Sequence, residues 1–186
     1  MKKIGNQTTK KLLDILQFQA IILLSIAFTI LFTTFIAFPV QVNGSSMDPT
    51  LHDKDFGISN ILFKNLDGIE RYDIVIVKAV DEYWVKRVIG LPGDRISCKD
   101  NQIYINSEPI DEYYLDIEYV TNEIKAHGVF TNDFDEIVLN NDEVFLMGDN
   151  RVHSLDSRLI GPFKLSSIKS KDIFIFWPFN HGGVVK

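Results

Sequence analysis

The 186-residue sequence predicts a mainly β protein: one N-terminal transmembrane helix followed by a single β-rich domain. Three observations predict it. A single uninterrupted apolar run ends at Phe38, the apolar residues beyond Pro39 alternate or form short β-branched runs, and turn-forming residues separate those runs. The length suits one span and one medium-sized domain, so no second independent fold is expected.

The helix comes first. From Ala20 to Phe38 every residue is apolar or a small hydroxyl, and no charge occurs between Asp14 and Asp48. A span needs ~20 residues at helical rise. Ser25, Thr29 and Thr33 recur every fourth residue and share one helix face. They can bond back to the helix's own carbonyls or mark a helix–helix contact, and mid-helix hydroxyls usually bond locally. Lys2, Lys3, Lys10 and Lys11 precede the run against Asp14 alone. The positive-inside rule then makes residues 1–14 cytoplasmic and 15–38 the anchor, and sends residues 39–186 across the membrane. A cleavable signal peptide shares the basic start and apolar core. Its apolar region is only about 7 to 15 residues and ends in an A-x-A-like site. Here the run is longer and Ala37 precedes Phe38 and Pro39, which favours a retained anchor.

Charge and cysteine content narrow the function classes. Four lysines and one aspartate give the first 38 residues +3, so with −6 overall the exported part carries −9. An acidic domain argues against a nucleic-acid partner and against tight binding to anionic lipid head groups. Cys98 is the one cysteine, so no disulfide forms within the chain and the domain depends on its hydrophobic core. The sequons at Asn6 and Asn43 read as chance matches.

Strands are expected at residues 40–43, 58–63, 73–77, 84–89, 103–105, 136–139, 144–146 and 173–177, with helix signals nearly absent beyond the anchor. Leu91-Pro92-Gly93-Asp94 and Asn140-Asn141-Asp142 supply turn chemistry between them. Residues 97–142 are more polar and acidic and interrupt the core segments 39–96 and 143–186. They read as an inserted β subdomain outside the reaction centre.

Three segments could carry chemistry. Ser46, in Ser45-Ser46-Met47-Asp48-Pro49-Thr50, follows the anchor closely, and a hydroxyl becomes a nucleophile only when a base takes its proton. None of His52, His127, His153 and His181 sits in a recognisable Ser-His-Asp context, and no G-x-S-x-G elbow is present. In Tyr83-Trp84-Val85-Lys86-Arg87-Val88-Ile89-Gly90, read as a strand, Lys86 and Arg87 fall on opposite faces, each with apolar neighbours. Periodicity does not choose between them, but only lysine can become a neutral base. To be half deprotonated near neutrality Lys86 must fall by roughly 2 to 3 pH units, which burial can supply. A snorkelling lysine at a strand edge is the structural alternative. The third segment, Met147 to Arg158, crowds Asp149, Arg151, Ser154, Asp156 and Arg158 into one loop suited to bidentate ion pairs. The flanking arginines would keep Asp149 and Asp156 both ionised, which argues against an aspartic-protease pair.

Together, Gly44-Ser45-Ser46-Met47-Asp48-Pro49-Thr50-Leu51, Arg71-Tyr72-Asp73-Ile74-Val75, Val85-Lys86-Arg87-Val88-Ile89-Gly90-Leu91-Pro92-Gly93-Asp94, and Gly148-Asp149-Asn150-Arg151 through Ser154-x-Asp156-Ser157-Arg158 resemble the ordered boxes of bacterial type I signal peptidases. Phe176-Trp177-Pro178-Phe179 resembles the close of the short, single-span form. The resemblance implies a β-rich signal-peptidase-type catalytic domain in a bacterial cell membrane. Ser46 would be the nucleophile and Lys86 the general base, with no cofactor and no metal. Ser154 would hold the lysine ammonium; Asp149, Arg151, Asp156 and Arg158 would brace the loop; Met47 and Pro49 would shape the substrate site. Its partners would be the bilayer, through the anchor, and signal-peptide-bearing preproteins with small side chains at the first and third positions before the cut. The oxyanion would meet the Ser46 N–H and, in some members, a side-chain hydroxyl at the position Gly44 occupies here. Tyr72, where the family usually has glycine, is a second departure and concerns the local turn. Two rivals differ in kind. A self-cleaving repressor-type serine–lysine peptidase would be soluble with a DNA-binding domain, and a non-catalytic tethered binding protein would not need Ser46, Lys86 and Ser154 intact.

Overall fold

The computed structural model describes residues 2–185, with the side chains of residues 2–8 and 63 excepted; Lys2, Lys3 and Asn6 thus lie outside the described side chains. Helix α1 (Lys2–Phe35) carries the apolar run, and its Thr9–Phe35 stretch packs no buried face against the rest of the chain. Its hydroxyls bond within the helix. Ser25 Oγ donates to Ile21 O at 2.7 Å, Thr29 Oγ1 to Ser25 O at 2.9 Å and Thr33 Oγ1 to Thr29 O at 3.0 Å. An apolar helix whose few polar groups are satisfied internally suits a bilayer.

Beyond it the chain is antiparallel β. Strands β1 (Ala37–Gln41) and β2 (Phe56–Asn60) flank the loop that carries Ser46, and helix α2 (Ile61–Asp67) follows. Next come β3 (Ile74–Ala79), β4 (Glu82–Gly90), β5 (Arg95–Lys99), β6 (Gln102–Ile105), β7 (Glu108–Pro109), α3 (Ile117–His127), β8 (Phe134–Val138) and β9 (Glu143–Met147). The chain ends with α4 (Ser157–Ile160), β10 (Phe163–Lys164), β11 (Ile168–Trp177) and β12 (Gly183–Val185). The main sheet runs β1-β2-β11-β3-β4-β9-β10 with β12 beside β11, and a second sheet runs β7-β6-β5-β8. Because β11 lies between β2 and β3, the last part of the chain is pinned inside the first. That interleaving brings the loops after β1 and β9 to one end of β4.

The second sheet shares the core. Ile96, Cys98, Ile103 and Ile105 pack with Ile89, Phe145 and Met147 of the main sheet, most of them almost fully buried. At roughly 1.5–3 kcal/mol per buried aliphatic side chain, this seam holds the two sheets together. Cys98 belongs to it, and burial pushes its thiol up to about 11, so it behaves as a core residue rather than a reactive one.

The strands differ from expectation at their limits. Ile61 to Phe63 were expected to extend a strand, but β2 stops at Asn60 and those residues open α2. β5 was missed, and β11 starts five residues before residue 173. Helix α3 is the larger correction to the expectation that helix ends with the anchor. Asp116 caps it by accepting from Tyr119 N at 2.7 Å, and Gly128, at φ 80°, ends it. None of its residues is fully buried, yet Ile117, Val120 and Ile124 recur at helical spacing, a short apolar stripe set in an otherwise polar and acidic stretch.

Candidate active site

Lys86 sits in β4 opposite Val75 of β3 and is 4 % exposed. Its Nζ lies 2.6 Å from Ser46 Oγ and 5.7 Å from the centre of the Trp84 ring. Among the described residues no histidine hydrogen-bonds Ser46. Lys86 is also peculiar in what it lacks. The other buried cations each have a carboxylate: Arg87 has Asp149, Arg151 has Glu112 and Lys171 has Asp73. Lys86 alone among the described buried cations has none. Burial therefore drives its pKa from 10.5 to about 8, the Arg158 cation adding to the drop while Asp156 and Asp149 oppose it from beyond ion-pair contact. A lysine in that state exchanges its proton near neutral pH.

The nucleophile loop is held from the β9 side. Asn150 N donates to Ser46 O at 3.1 Å, and Asn150 Nδ2 donates to Ser45 O at 3.0 Å. Thr50 Oγ1 donates to Asp149 Oδ2 at 2.5 Å. Gly148 permits this approach: a Cβ there would stand 2.3 Å from both Ser46 O and Ser154 Oγ. Arg87, the neighbour of the lysine, grips Asp149 through Nε at 2.9 Å and Nη2 at 2.7 Å, both groups buried. Strand β4 thus presents the base on one residue and braces the serine loop with the next. Arg87, Thr50 and Asn150 were given no role from sequence; a buried-strand arginine needing a carboxylate was the signal for the first.

The remaining loop residues are satisfied in turn. Asp156 accepts from Arg158 Nε and Nη2, each at 2.8 Å, and from Gly148 N at 3.0 Å. Burial opposes its ionisation, but these donors hold its carboxyl below the usual range. Arg158 also donates to Arg151 O. Arg151 reaches out of the loop to Glu112, Tyr114 and Thr131, so residues of the inserted segment brace this loop. The insert, expected outside the reaction centre, thus touches neither Ser46 nor Lys86 but braces the loop beside them through Arg151.

Three expected contacts are not made. Ser154 Oγ is buried beside Gly148 and makes no hydrogen bond to Lys86, while its hydroxyl is among the groups that hold the Asp156 carboxyl ionised. Gly44 cannot lend its amide to an oxyanion while it donates to Asp53 Oδ1 at 2.8 Å. Its φ of 91° lies where an L-residue would cost ~1–2 kcal/mol, which suits glycine here. The Ser46 amide donates to no described residue. Pro49 is not among the residues lining the cleft beside the dyad, whereas Met47 is.

That cleft, about 580 Å³, runs past Ser46 and Lys86 between β1 and residues 82–86 of β4. A larger cavity of about 830 Å³, bordered by Tyr72, Tyr113 and Lys171, contains neither dyad residue. The chemistry selects the smaller one. Among the described residues β1 pairs only with β2, and of β4 only residues 87–90 are covered by β9, so both walls offer unpaired backbone.

Comparison with known proteins agrees with this arrangement. Residues 15–177 match the family model described as signal peptidase, peptidase S26. The chain is 36 % identical over 184 residues to signal peptidase I of Bacillus amyloliquefaciens, covering 97 % of each. It is 35 % identical over 170 residues to signal peptidase IB of Staphylococcus aureus, covering 86 % of this chain and 89 % of that one. A crystal structure of a signal peptidase I from Enterococcus faecalis superposes with a TM-score of 0.50 at 28 % identity, over 55 % of this chain and 95 % of that one.

Proposed function

We propose, since this chain belongs to the signal peptidase family of peptidase S26, that Ser46 is the nucleophile and Lys86 the general base with which it removes signal peptides from preproteins. The observation that carries the assignment is the 2.6 Å approach of a buried, carboxylate-free lysine to a serine lining a cleft. Neutral Lys86 takes the Ser46 proton as Oγ attacks the scissile carbonyl. The resulting ammonium then protonates the leaving amine. Water, deprotonated by the same lysine, releases the acyl product and frees Ser46. The Ser46 N–H, uncommitted in the fold, meets the oxyanion, where one donor is worth roughly 3 kcal/mol.

The substrate binds extended between the open edges of β1 and β4, adding backbone hydrogen bonds to both, with small side chains turned toward the cleft floor at Met47. The chain is membrane-anchored by α1. Its N-terminus lies in the cytoplasm and its catalytic domain, residues 39–186, on the outer side, a reading supported by the lysines before the span. The short α1–β1 connection keeps the cleft near the membrane, where signal sequences emerge.

Incubation of a purified preprotein with the full chain and with Ser46→Ala, Lys86→Ala and Lys86→Arg tests the dyad. Only the parent protein is expected to cleave. Arginine preserves charge but cannot serve as a base, so cleavage by Lys86→Arg would overturn the role given to Lys86.

A further inference from the structure

Three side chains with no role in the proton transfers meet where α3 faces the loop after β9, one of them, His153, at the rim of the cleft that holds the dyad. Glu123 and His127 stand one turn apart on α3, and His153 closes the 3-10 turn Arg151–His153. One ligand-capable atom from each lies within 4.8 Å of the other two. The His127 and His153 rings stand nearly perpendicular, their centres 5.4 Å apart. Glu123 Oε2 is buried and accepts no hydrogen bond among the described residues, His127 Nε2 standing 3.5 Å away. A buried carboxylate oxygen without a donor is costly, and it points at the two imidazoles.

We propose that Glu123, His127 and His153 bind one divalent transition-metal ion, zinc by the nature of the donors, and that the ion ties α3 to the loop leading into Ser154. Two imidazoles and a carboxylate suit zinc, with water in the fourth position. Tetrahedral donors at ~2.0–2.1 Å from zinc are about 3.4 Å apart, so the present spacing needs a contraction that ring rotation supplies. Both histidines are exposed and can make that turn. The other histidine pair differs: His52 already meets Asp48 at 2.8 Å and His181 meets Asp55 at 2.6 Å, which leaves no vacant carboxylate there. The tie has a structural use because α3 buries none of its own residues.

The test is a titration of the full chain, in detergent and without a polyhistidine tag, with cobalt(II) chloride and then zinc chloride. One equivalent of cobalt should give the visible absorption of a tetrahedral site, and zinc should abolish it by displacement. His127→Ala, His153→Ala and Glu123→Gln should each weaken binding at least tenfold, while His52→Ala leaves it unchanged. Metal-free His127→Ala should cleave preprotein at the parent rate, which shows that it is folded. Zinc should also slow amide exchange along α3. Absence of the cobalt band, its survival in His127→Ala, its loss in His52→Ala, or unaltered exchange in α3 with zinc bound would overturn the proposal.

Discussion

Replacing Lys86 by methionine should abolish cleavage and at the same time stabilise the protein. In the folded state Lys86 is buried without a counter-ion, and its pKa falls from 10.5 to about 8. At about 1.4 kcal/mol per tenfold change in the proton equilibrium, that drop costs about 3 kcal/mol at pH 7, where both folded and unfolded chains carry the ammonium. Methionine fills a similar volume without charge. It forfeits the contact with Ser46 Oγ, worth about 1 kcal/mol, so a net gain of about 2 kcal/mol remains. The sign with pH follows from the same numbers. Between about 8 and 10.5 the unfolded chain holds the proton that the folded chain has released, so the parent protein regains stability as pH rises through this window. The advantage of Lys86→Met should therefore be full at pH 7, shrink above pH 8, vanish near about pH 9.5 and turn into a deficit of about 1 kcal/mol above about 10.5, where only the lost Ser46 contact remains. Denaturant unfolding of both proteins in detergent at pH 7 and pH 10 measures it. A variant less stable than the parent at pH 7, or an advantage that does not shrink with pH, would refute the claim that burial depresses this lysine.

The other predictions concern the base, its brace and the departing turn. In the parent enzyme kcat/KM should rise about tenfold per pH unit and level off above about 8; a limb near 6.5 would indicate a histidine base instead. Asp149→Ala strands the buried Arg87 guanidinium and should cost about 3–5 kcal/mol in urea unfolding, with cleavage lost because Thr50 loses its acceptor. An unchanged midpoint would show that Arg87 finds water. Tyr72→Gly relieves a φ of 76°, worth ~1–2 kcal/mol, but removes ring contacts with Tyr113 and Tyr114 and a hydrogen bond to Asp111 O. Two ring pairs at about 0.5–1.5 kcal/mol each, plus that bond, outweigh the relief, so a net loss of about 1–2 kcal/mol is expected and a more stable variant would refute it.

Much of this was legible before any coordinates, for reasons that differ by residue. The β class and the anchor follow from periodicity and length, which the chain displays openly. Ser46 and Lys86 could be proposed as a pair because a serine without a usable histidine needs another base and because the boxes that carry them, in order, resemble those of type I signal peptidases. Helix α3 was missed although Ile117, Val120 and Ile124 fall at helical spacing between the caps Asp116 and Gly128, because so short a stripe is hard to see among polar and acidic neighbours. The bond expected between Ser154 and Lys86 depends on where the loop backbone and the χ1 rotamer place Ser154 Oγ, which residue identity does not specify. Tyr72 is instructive in the other direction. Its backbone takes the left-handed conformation that glycine favours, and the rings of Tyr113 and Tyr114 show what a side chain gains there.

Least legible was the allocation of partners. From sequence, Arg87, Arg151, Arg158 and Lys86 are four cations near two aspartates, and any of several pairings would satisfy them. In the fold Asp149 is committed to Arg87, Asp156 to Arg158 and Glu112, from the inserted segment, to Arg151. Had Glu112 been absent, Arg151 would have competed with Arg87 and Arg158 for Asp149 and Asp156, the two carboxylates that fix the loops beside the dyad. The insert thus supports the reaction without touching it, by satisfying a cation that would otherwise draw on the carboxylates bracing the loops around Ser46.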